Sequence, residues 1–407
     1  TRACFAAVRL GERRIGELAE RFGANVVADA FRQLGERSER AATTRLRETF
    51  PPGTYHFADA LDHDGQGNGP YRLSIELTVD DNGVVLDFSD SDDQAPGPIN
   101  YLVNPAVPRA MLGMYLLAGD PTLLLNSGAG RAVDEVILRE GSVLQPKWPA
   151  PLGQRGLTMM RLLSSTMGLV NAAGGESTAA NCAYVIYFAR GIGDDGNPFL
   201  MSDGVGVGYG ARPYADGINA VYYVAQENYP AEMMEQNYPA RLRAYGIHLN
   251  SGGPGRWRGG CGVVREIELL AEEATFAIRI DGVKKPAWGV KGGKNGGAGR
   301  AVVNPDTPQE RELDPFSDGN VLKRGDILRL ETGGGGGWGH PFDREPERVL
   351  ADVLGEFVSR DAVLEEYGVV LGSDGESVDA DATAARRKDR PSVDGLFHRG
   401  TYRDVLE

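Results

Sequence analysis

Glu331-Thr332-Gly333-Gly334-Gly335-Gly336-Gly337-Trp338-Gly339-His340-Pro341-Phe342-Asp343 is the stretch on which the reading of this 407-residue chain turns. Five consecutive glycines have no use in a regular helix or strand, because glycine loses more conformational freedom on ordering than any other residue and packs no side chain. Such a run is either a slack tether or a loop whose bare N–H groups face a ligand or another chain. The flanks decide between the two. Val321-Leu322-Lys323-Arg324-Gly325-Asp326-Ile327-Leu328-Arg329-Leu330 reads as turn and strand, and Pro346 opens an amphipathic helix at the first-turn position where its missing N–H is harmless. A loop pinned between a strand and a helix is not a linker, so its backbone is expected to face a substrate or a partner.

Outward from this loop, the pattern predicts an α+β fold with mixed or antiparallel glycine-rich sheets, an N-terminal helical segment and C-terminal helices. Ile15, Leu18, Ala19 and Phe22 recur at helical spacing and Gly23 stops the turn. Val26, Val27, Ala30, Phe31 and Leu34 predict a second helix, and a third runs toward Phe50 before Pro51-Pro52-Gly53. The period then becomes two: Tyr71, Leu73, Ile75, Leu77 and Val79 alternate with polar residues, Asn82-Gly83 turns, and Val84 to Phe88 returns as a hairpin. Helices are expected near residues 109–118 and 157–170, short strands with glycine and proline turns over 221–330, and two closing helices over 346–367. The expected domains are a helical segment 1–50, an α+β domain 51–200, a glycine-rich β domain 201–372 with its closing helices, and a poorly packed polar tail 373–407.

Composition bounds the partners. Lysine and arginine number 43 against 57 aspartates and glutamates, a net charge of -14, which argues against nucleic acid or an anionic membrane surface, since both call for basic patches. Glycine, 56 of 407 residues, is about twice its usual share and has no collagen period. No apolar stretch is long enough to span a bilayer and the N-terminus carries no secretory pattern. Cys4, Cys182 and Cys261 are odd in number and far apart, so a reducing, cytoplasmic setting is expected.

Several motifs carry candidate chemistry. The alternating glycines of Asp203 to Gly210 fail as a dinucleotide cradle because Arg212-Pro213 follows where a helix is needed. Gly289 to Lys294 fails as a phosphate loop, with Asn295 where a serine or threonine would hold magnesium; the chain therefore shows no ATP site of its own. His56 and His63 with Asp59 and Asp64 are either a metal-ligand set or plain turn chemistry. His340 is either a proton-transfer group beside an anion-binding loop or the cap of the following turn. Arg212 and Asp216 bracket Pro213, and Arg256, Arg258 and Arg265 surround Gly259-Gly260; arginine on a stiff turn suits both bidentate substrate recognition and structural ion pairs. His340, Asp216 and Arg212 are the candidate catalytic residues. Arg258, Lys291, Gly206, Gly208, Gly335, Gly337 and Trp338 are the candidate substrate contacts, and no metal ligand is assigned within the chain.

The run Gly333 to Asp343, followed by Pro346, Val349-Leu350, Val353, Val358-Ser359 and Glu366-Tyr367-Gly368-Val369-Val370-Leu371, resembles the C-terminal signature of the hydantoinase B/oxoprolinase family. Pro286-Ala287-Trp288-Gly289-Val290-Lys291-Gly292-Gly293-Lys294, Glu235 to Arg241, Ser251 to Gly262 and Gly208 to Gly217 resemble its further motifs in the same order. The resemblance implies a B-type subunit of an ATP-dependent cyclic-amide hydrolase such as hydantoinase or 5-oxoprolinase, in a hetero-oligomer. A separate A-type chain would bind ATP and phosphorylate a carbonyl oxygen of the substrate. It equally implies the matching subunit of a ketone carboxylase that also takes bicarbonate, and a scaffold that has lost its chemistry is the non-enzymatic alternative. It also implies a divalent metal, held by an aspartate and paired histidines in a further N-terminal region that lies outside this chain. Cys261 stands where the family more often has a small aliphatic residue.

Overall fold

The computed structural model describes residues 2–117, 122, 126–183, 185–222, 228–393, 395–399 and 403–404. The chain divides into two compact units, Thr1–Thr54 with Leu77–Leu86 and Val103–Ile137, and Tyr55–Glu76 with Asp87–Leu102 and Leu138–Glu407. No division falls at residue 200 or 372, because strands from both sides of those positions share sheets.

Helices α1 (Arg2–Phe22) and α2 (Ala24–Thr49) open the chain. Gly23, at φ 93°, separates them and its N–H closes the last turn of α1 on Ala19 O at 2.8 Å. The two helices expected after Gly23 are one, since neither proline nor a capping group interrupts residues 24–49. The apolar stripe of α1 is also not buried: among the described residues, none of its side chains is enclosed. Strands β1 (Gly53–Leu61), β2 (Tyr71–Val79) and β3 (Val84–Asp87) follow, then α3 (Ala106–Leu117) and β4 (Glu135–Ile137), with sheet order β1-β2-β3-β4. The helix predicted over 109–118 is thus present, its last residue lying outside the described ones. The helix predicted over 157–170 is α4 (Arg155–Ala172).

Among the described residues ten strands follow up to residue 331, nine of them in two antiparallel sheets and the two-residue one in neither. These strands are β5 (Val185–Ile192) and β6 (Pro198–Val205), then, after helix α5 (Ala231–Asn237), β7 (Ala240–Ile247), β8 (Val263–Leu269), β9 (Glu273–Arg279) and β10 (Gly289–Val290). They continue with β11 (Arg300–Val303), β12 (Arg311–Leu313), β13 (Phe316–Lys323) and β14 (Ile327–Glu331). One sheet runs β13-β9-β5-β6 and the other β12-β11-β14-β8-β7. Period-two burial in β8 and β9 turns Val263, Ile267, Phe276 and Ile278 into a common core with Tyr187, Leu322, Leu328 and Leu330 from both sheets. Helices α6 (Pro346–Leu354) and α7 (Arg360–Tyr367) close over a smaller cluster of Val349, Val358, Val363, Tyr367 and Val369. The architecture is α+β, as the residue pattern predicts.

The polar tail is mostly exposed, with two of its elements held against the rest of the chain. Asp379 caps helix α8 (Ala380–Lys388) through the Ala382 N–H, and β15 (Phe397–His398) pairs with β10. The rings of Phe397, Phe57 and Trp288 meet edge to face at 4.9–5.3 Å. Aromatic burial, invisible in a stretch rich in charge, holds this segment down. Residues 394, 400–402 and 405–407 of the expected tail lie outside the described residues.

After β14 the glycine run threads among other backbones. Gly334, Gly335, Gly336 and Gly337 donate their N–H groups to Gly297, Gly260, Ala180 and Lys294 O at 2.9–3.0 Å. Their neighbours reply: Gly208 N–H reaches Gly333 O, Ala211 reaches Gly336 O, Gly253 reaches Gly335 O and Val290 reaches Gly337 O, at 2.9–3.0 Å. Trp257 and Trp338 exchange both backbone bonds at 3.0 Å. A Cβ on Gly334 would overlap Ser251 O, on Gly335 the backbone of Tyr209, on Gly336 Trp288 O and on Gly337 Pro254 O. The logic is that of a collagen axis, where backbones approach so closely that only glycine fits. The loop is therefore neither tether nor ligand-facing surface: the amides of Gly334 to Gly337 all bond within the chain.

Gly335→Ala is expected to lower stability by at least about 3 kcal/mol, since rigid backbone rather than a movable side chain opposes the new methyl. Gly16→Ala, in α1 with open space around it, should be neutral or stabilise by about 0.5–1 kcal/mol through helix propensity. Chemical denaturation of the two variants tests the contrast, and equal midpoints would refute it.

Candidate functional site

The glycine axis carries the candidate residues on its flanks. Asp216 lies in a turn bridged by Arg212 and Ala215. Its carboxylate accepts the Arg258 N–H at 2.7 Å and both terminal nitrogens of Arg344 at 2.6 and 2.9 Å. Arg344 follows the 3-10 turn Pro341–Asp343 and is 1% exposed. Its Nε and second terminal nitrogen reach Asp352 of α6 at 3.0 and 2.8 Å. Arg258, likewise buried, places Nε 3.3 Å from the other Asp352 oxygen, and a terminal nitrogen donates to Gly259 O at 2.7 Å and lies 3.2 Å from Cys261 Sγ. Two guanidiniums and two carboxylates thus form a closed, neutral network that fastens the 212–217 turn, the 256–262 loop and α6 to the segment just beyond the turn that follows the glycine run.

The electrostatics follow from that closure. Burial raises Asp216, but the Arg344 fork and the Arg258 N–H and charge outweigh it, and the carboxyl titrates below the usual carboxylate range. Burial likewise works against charge on Arg344 and Arg258, and the surrounding anions more than compensate, so both are held protonated. Tyr367, fully enclosed nearby with no partner for its hydroxyl among the described residues, is pushed upward by desolvation. No member of this network has the free lone pair of a base, and its chemistry is that of a fixed electrostatic brace.

The other candidates are placed apart from it. His340 accepts the Phe342 N–H on Nδ1 at 3.0 Å and meets Pro391 O with Nε2 at 3.1 Å. It therefore caps the turn in its neutral form, and desolvation lowers its pKa. Arg212 donates to Asp216 O at 2.9 Å and lies over the Tyr214 ring. Lys291, at φ 53°, sits 5.8 Å from the Trp338 ring and 3.9 Å from Glu176. Gly206 O accepts the Thr332 hydroxyl at 2.6 Å, and Gly208, Gly335, Gly337 and Trp338 belong to the backbone lattice. The structure thus brings Arg212, Asp216 and Arg258 together and leaves His340 and Lys291 outside their network.

A second brace escaped sequence reading. Asp62, enclosed, accepts the N–H groups of Val283, Lys284 and Lys285 at 2.7–2.9 Å. Its own N–H donates to Asp281, which takes Arg161 Nε at 2.8 Å. Burial, then the Asp281 charge, raise Asp62. Asp59 accepts the Trp288 indole N–H at 3.0 Å, and Asp64 takes the N–H groups of Gln66, Asn68 and Gly97. His56 pairs with Glu76, and His63 Nδ1 accepts the Gly65 N–H. These carboxylates already hold donors and the imidazoles point to separate partners, so the set does not fit a metal. Among the described residues no three His, Cys, Asp or Glu side chains converge as one. Cys182 is equally unsuited as a nucleophile, burial pushing its thiol up to about 12.

The fold is shared with solved structures of ATP-dependent enzymes. The structure of ATP-dependent caprolactamase from Pseudomonas jessenii superposes with TM-score 0.78 at 25% identity, over 94% of this chain and 68% of that one. Nucleotide-free acetone carboxylase superposes with TM-score 0.75 at 20% identity, over 92% and 57%, a likeness of fold. In sequence, the B-type subunit of a D-/L-hydantoinase from Pseudomonas sp. strain NS671 is 29% identical over 409 residues, and the β chain of the Pseudomonas jessenii caprolactamase is 28% identical over 410. Each alignment covers 95% of this chain and 67% or 68% of the relative, so the chain spans about two-thirds of their length. Residues 1–341 match the hydantoinase B/oxoprolinase family, and the chain belongs to it.

Arg344→Met should cost about 3–5 kcal/mol, because it strands two carboxylates in a closed network. Urea midpoints read this directly, and a loss below about 1 kcal/mol would show that the network is dispensable. The lowered pKa of His340 means the folded state disfavours its proton: its contribution is complete above the ordinary histidine value near 6.5 and is lost as pH falls through the folded value. The thermal midpoint should therefore drop on acidification below about pH 6.5, less steeply in His340→Gln. Identical slopes in both proteins would rule out this coupling.

Proposed function

We propose that the chain is a catalytic B-type subunit, or the C-terminal part of one, in an ATP-dependent cyclic-amide hydrolase, working with an A-type partner that carries the ATP. The observation behind this reading is the near-complete alignment, 95% of the chain, with two proteins named for hydantoinase and caprolactamase activity. Hydantoins and lactams share one difficulty, an amide carbonyl whose resonance makes it a poor electrophile. Transfer of the ATP terminal phosphoryl group to the carbonyl oxygen leaves ADP and an activated C–O–phosphate; one water then adds at carbon and the ring C–N bond opens, the nitrogen taking up a proton, and a second water hydrolyses the resulting acyl phosphate to carboxylate and phosphate.

In this reading the glycine lattice and the Asp216–Arg344–Asp352–Arg258 brace form the rigid framework on which the substrate side of the complex is built. Ketone carboxylation is the second reading, supported by the likeness of fold to acetone carboxylase at 20% identity.

The test is co-expression with the A-type chain and assay of ADP release with hydantoin, caprolactam, 5-oxoproline and acetone. Ring-opened product formed with ADP, and no incorporation of labelled bicarbonate, is expected. Bicarbonate-dependent ATP turnover with acetone would overturn the hydrolase reading in favour of the carboxylase, and no turnover with any substrate would remove both.

A further inference from the structure

The sheet β13-β9-β5-β6 has one face in the core and one turned outward. Tyr187, Ala189, Met201, Phe276 and Ile278 belong to the core, so strand alternation turns Phe188, Arg190, Leu200, Thr275 and Ala277 the other way. The register gathers these five: Arg190 lies opposite Leu200 on β6 and Thr275 on β9, and Phe188 lies opposite Ala277. Together with Arg279 and Asp318 they line a cavity of about 390 Å³. Arg279 has no donor to spare on its terminal nitrogens, which hold both Asp318 oxygens at 2.8 and 2.9 Å and the carbonyls of Ile278 and Ser317 at 2.7 and 2.9 Å. Arg190 differs: its guanidinium has no hydrogen bond, ion pair or ring contact among the described residues. In a chain of net charge -14, it is the one uncompensated charge on this cavity among the described residues, and its neighbours on the sheet are largely apolar.

We propose that this cavity binds a small monocarboxylate with an apolar body. One free fork matches one planar carboxylate through two parallel N–H bonds, and the Thr275 hydroxyl on the neighbouring strand is a further donor; a phosphoryl group would keep acceptor oxygens unmet. Phe188, Leu200 and Ala277 supply the surface for the apolar body, which would cover a Leu200 side chain that is otherwise 64% exposed. The volume falls in the range of small-molecule sites. The inference does not depend on the proposed activity, since it rests on the cavity and its unpaired guanidinium.

Ligand-observed NMR titration of the intact protein with hexanoate, hexanamide and acetate at low ionic strength tests it. Saturable binding of hexanoate is expected, about tenfold or more tighter than hexanamide, which has the same body without the charge. It should also exceed acetate, which has the charge without the body, and weaken with added salt. Arg190→Met should weaken hexanoate binding about tenfold or more, and Arg190→Lys, which keeps the charge but loses the fork, by a smaller factor. Arg190 is exposed and unpaired, so both variants leave the fold intact. Absence of saturable binding, equal affinity for hexanamide, or affinity unchanged in Arg190→Met would overturn the proposal. Equal affinity for acetate would overturn the apolar part of the ligand.

Discussion

The structure depends on bare backbone passing bare backbone. Between Gly334 and Gly337 the chain runs so close to Tyr209, Ser251, Pro254 and Trp288 that a single methyl has no space. The amides of Gly334 to Gly337 each find a carbonyl on a different neighbour. Hydrogen bonds made this way are individually modest, about 1 kcal/mol net, but an unmade one in such a place costs more than a made one contributes. The lattice is therefore strongly cooperative: loops far apart in sequence are registered against one axis, and each glycine is needed because of its neighbours.

An axis without side chains cannot fasten itself to the rest of the molecule by packing, and the ionic braces supply that fastening. Arg344 stands immediately beyond the turn that ends the run and reaches Asp216 and Asp352 together. Asp62 grips the 283–285 turn just before Trp288 and Gly289, which line the same axis. Buried ion pairs contribute little net stability against apolar replacements but penalise heavily any arrangement that separates the partners. At both sites they act on register more than on total stability, which suits a core whose backbones must meet at contact distance.

The same economy bears on function. The residues with catalytic reputations, histidine, aspartate and arginine, are spent here on holding turns in place. His340 caps, Asp216 anchors and Arg212 closes its own turn. The family to which the chain belongs includes proteins named as subunits.

By itself the sequence determined the secondary structure wherever periodicity, proline and glycine act locally. The β2–β3 hairpin at Asn82-Gly83, helix α4, the short strands to Leu330 and the proline-led α6 are legible, as is the α+β class. It also determined that Arg212, Asp216 and Arg258 belong to stiff turns. Only the tertiary structure decided what the turns face. Asp216 gains its meaning from Arg344 and Asp352, 128 and 136 positions on, and Asp62 from a loop more than two hundred residues away. Close approach of glycine backbones leaves the same composition as a slack loop, because glycine has no side chain to advertise its partner. The C-terminal segment reads as polar filler until Phe397 meets Phe57 and Trp288. Local geometry is written in neighbouring residues, whereas burial and charge pairing are properties of distant ones brought together, and those were set by the fold.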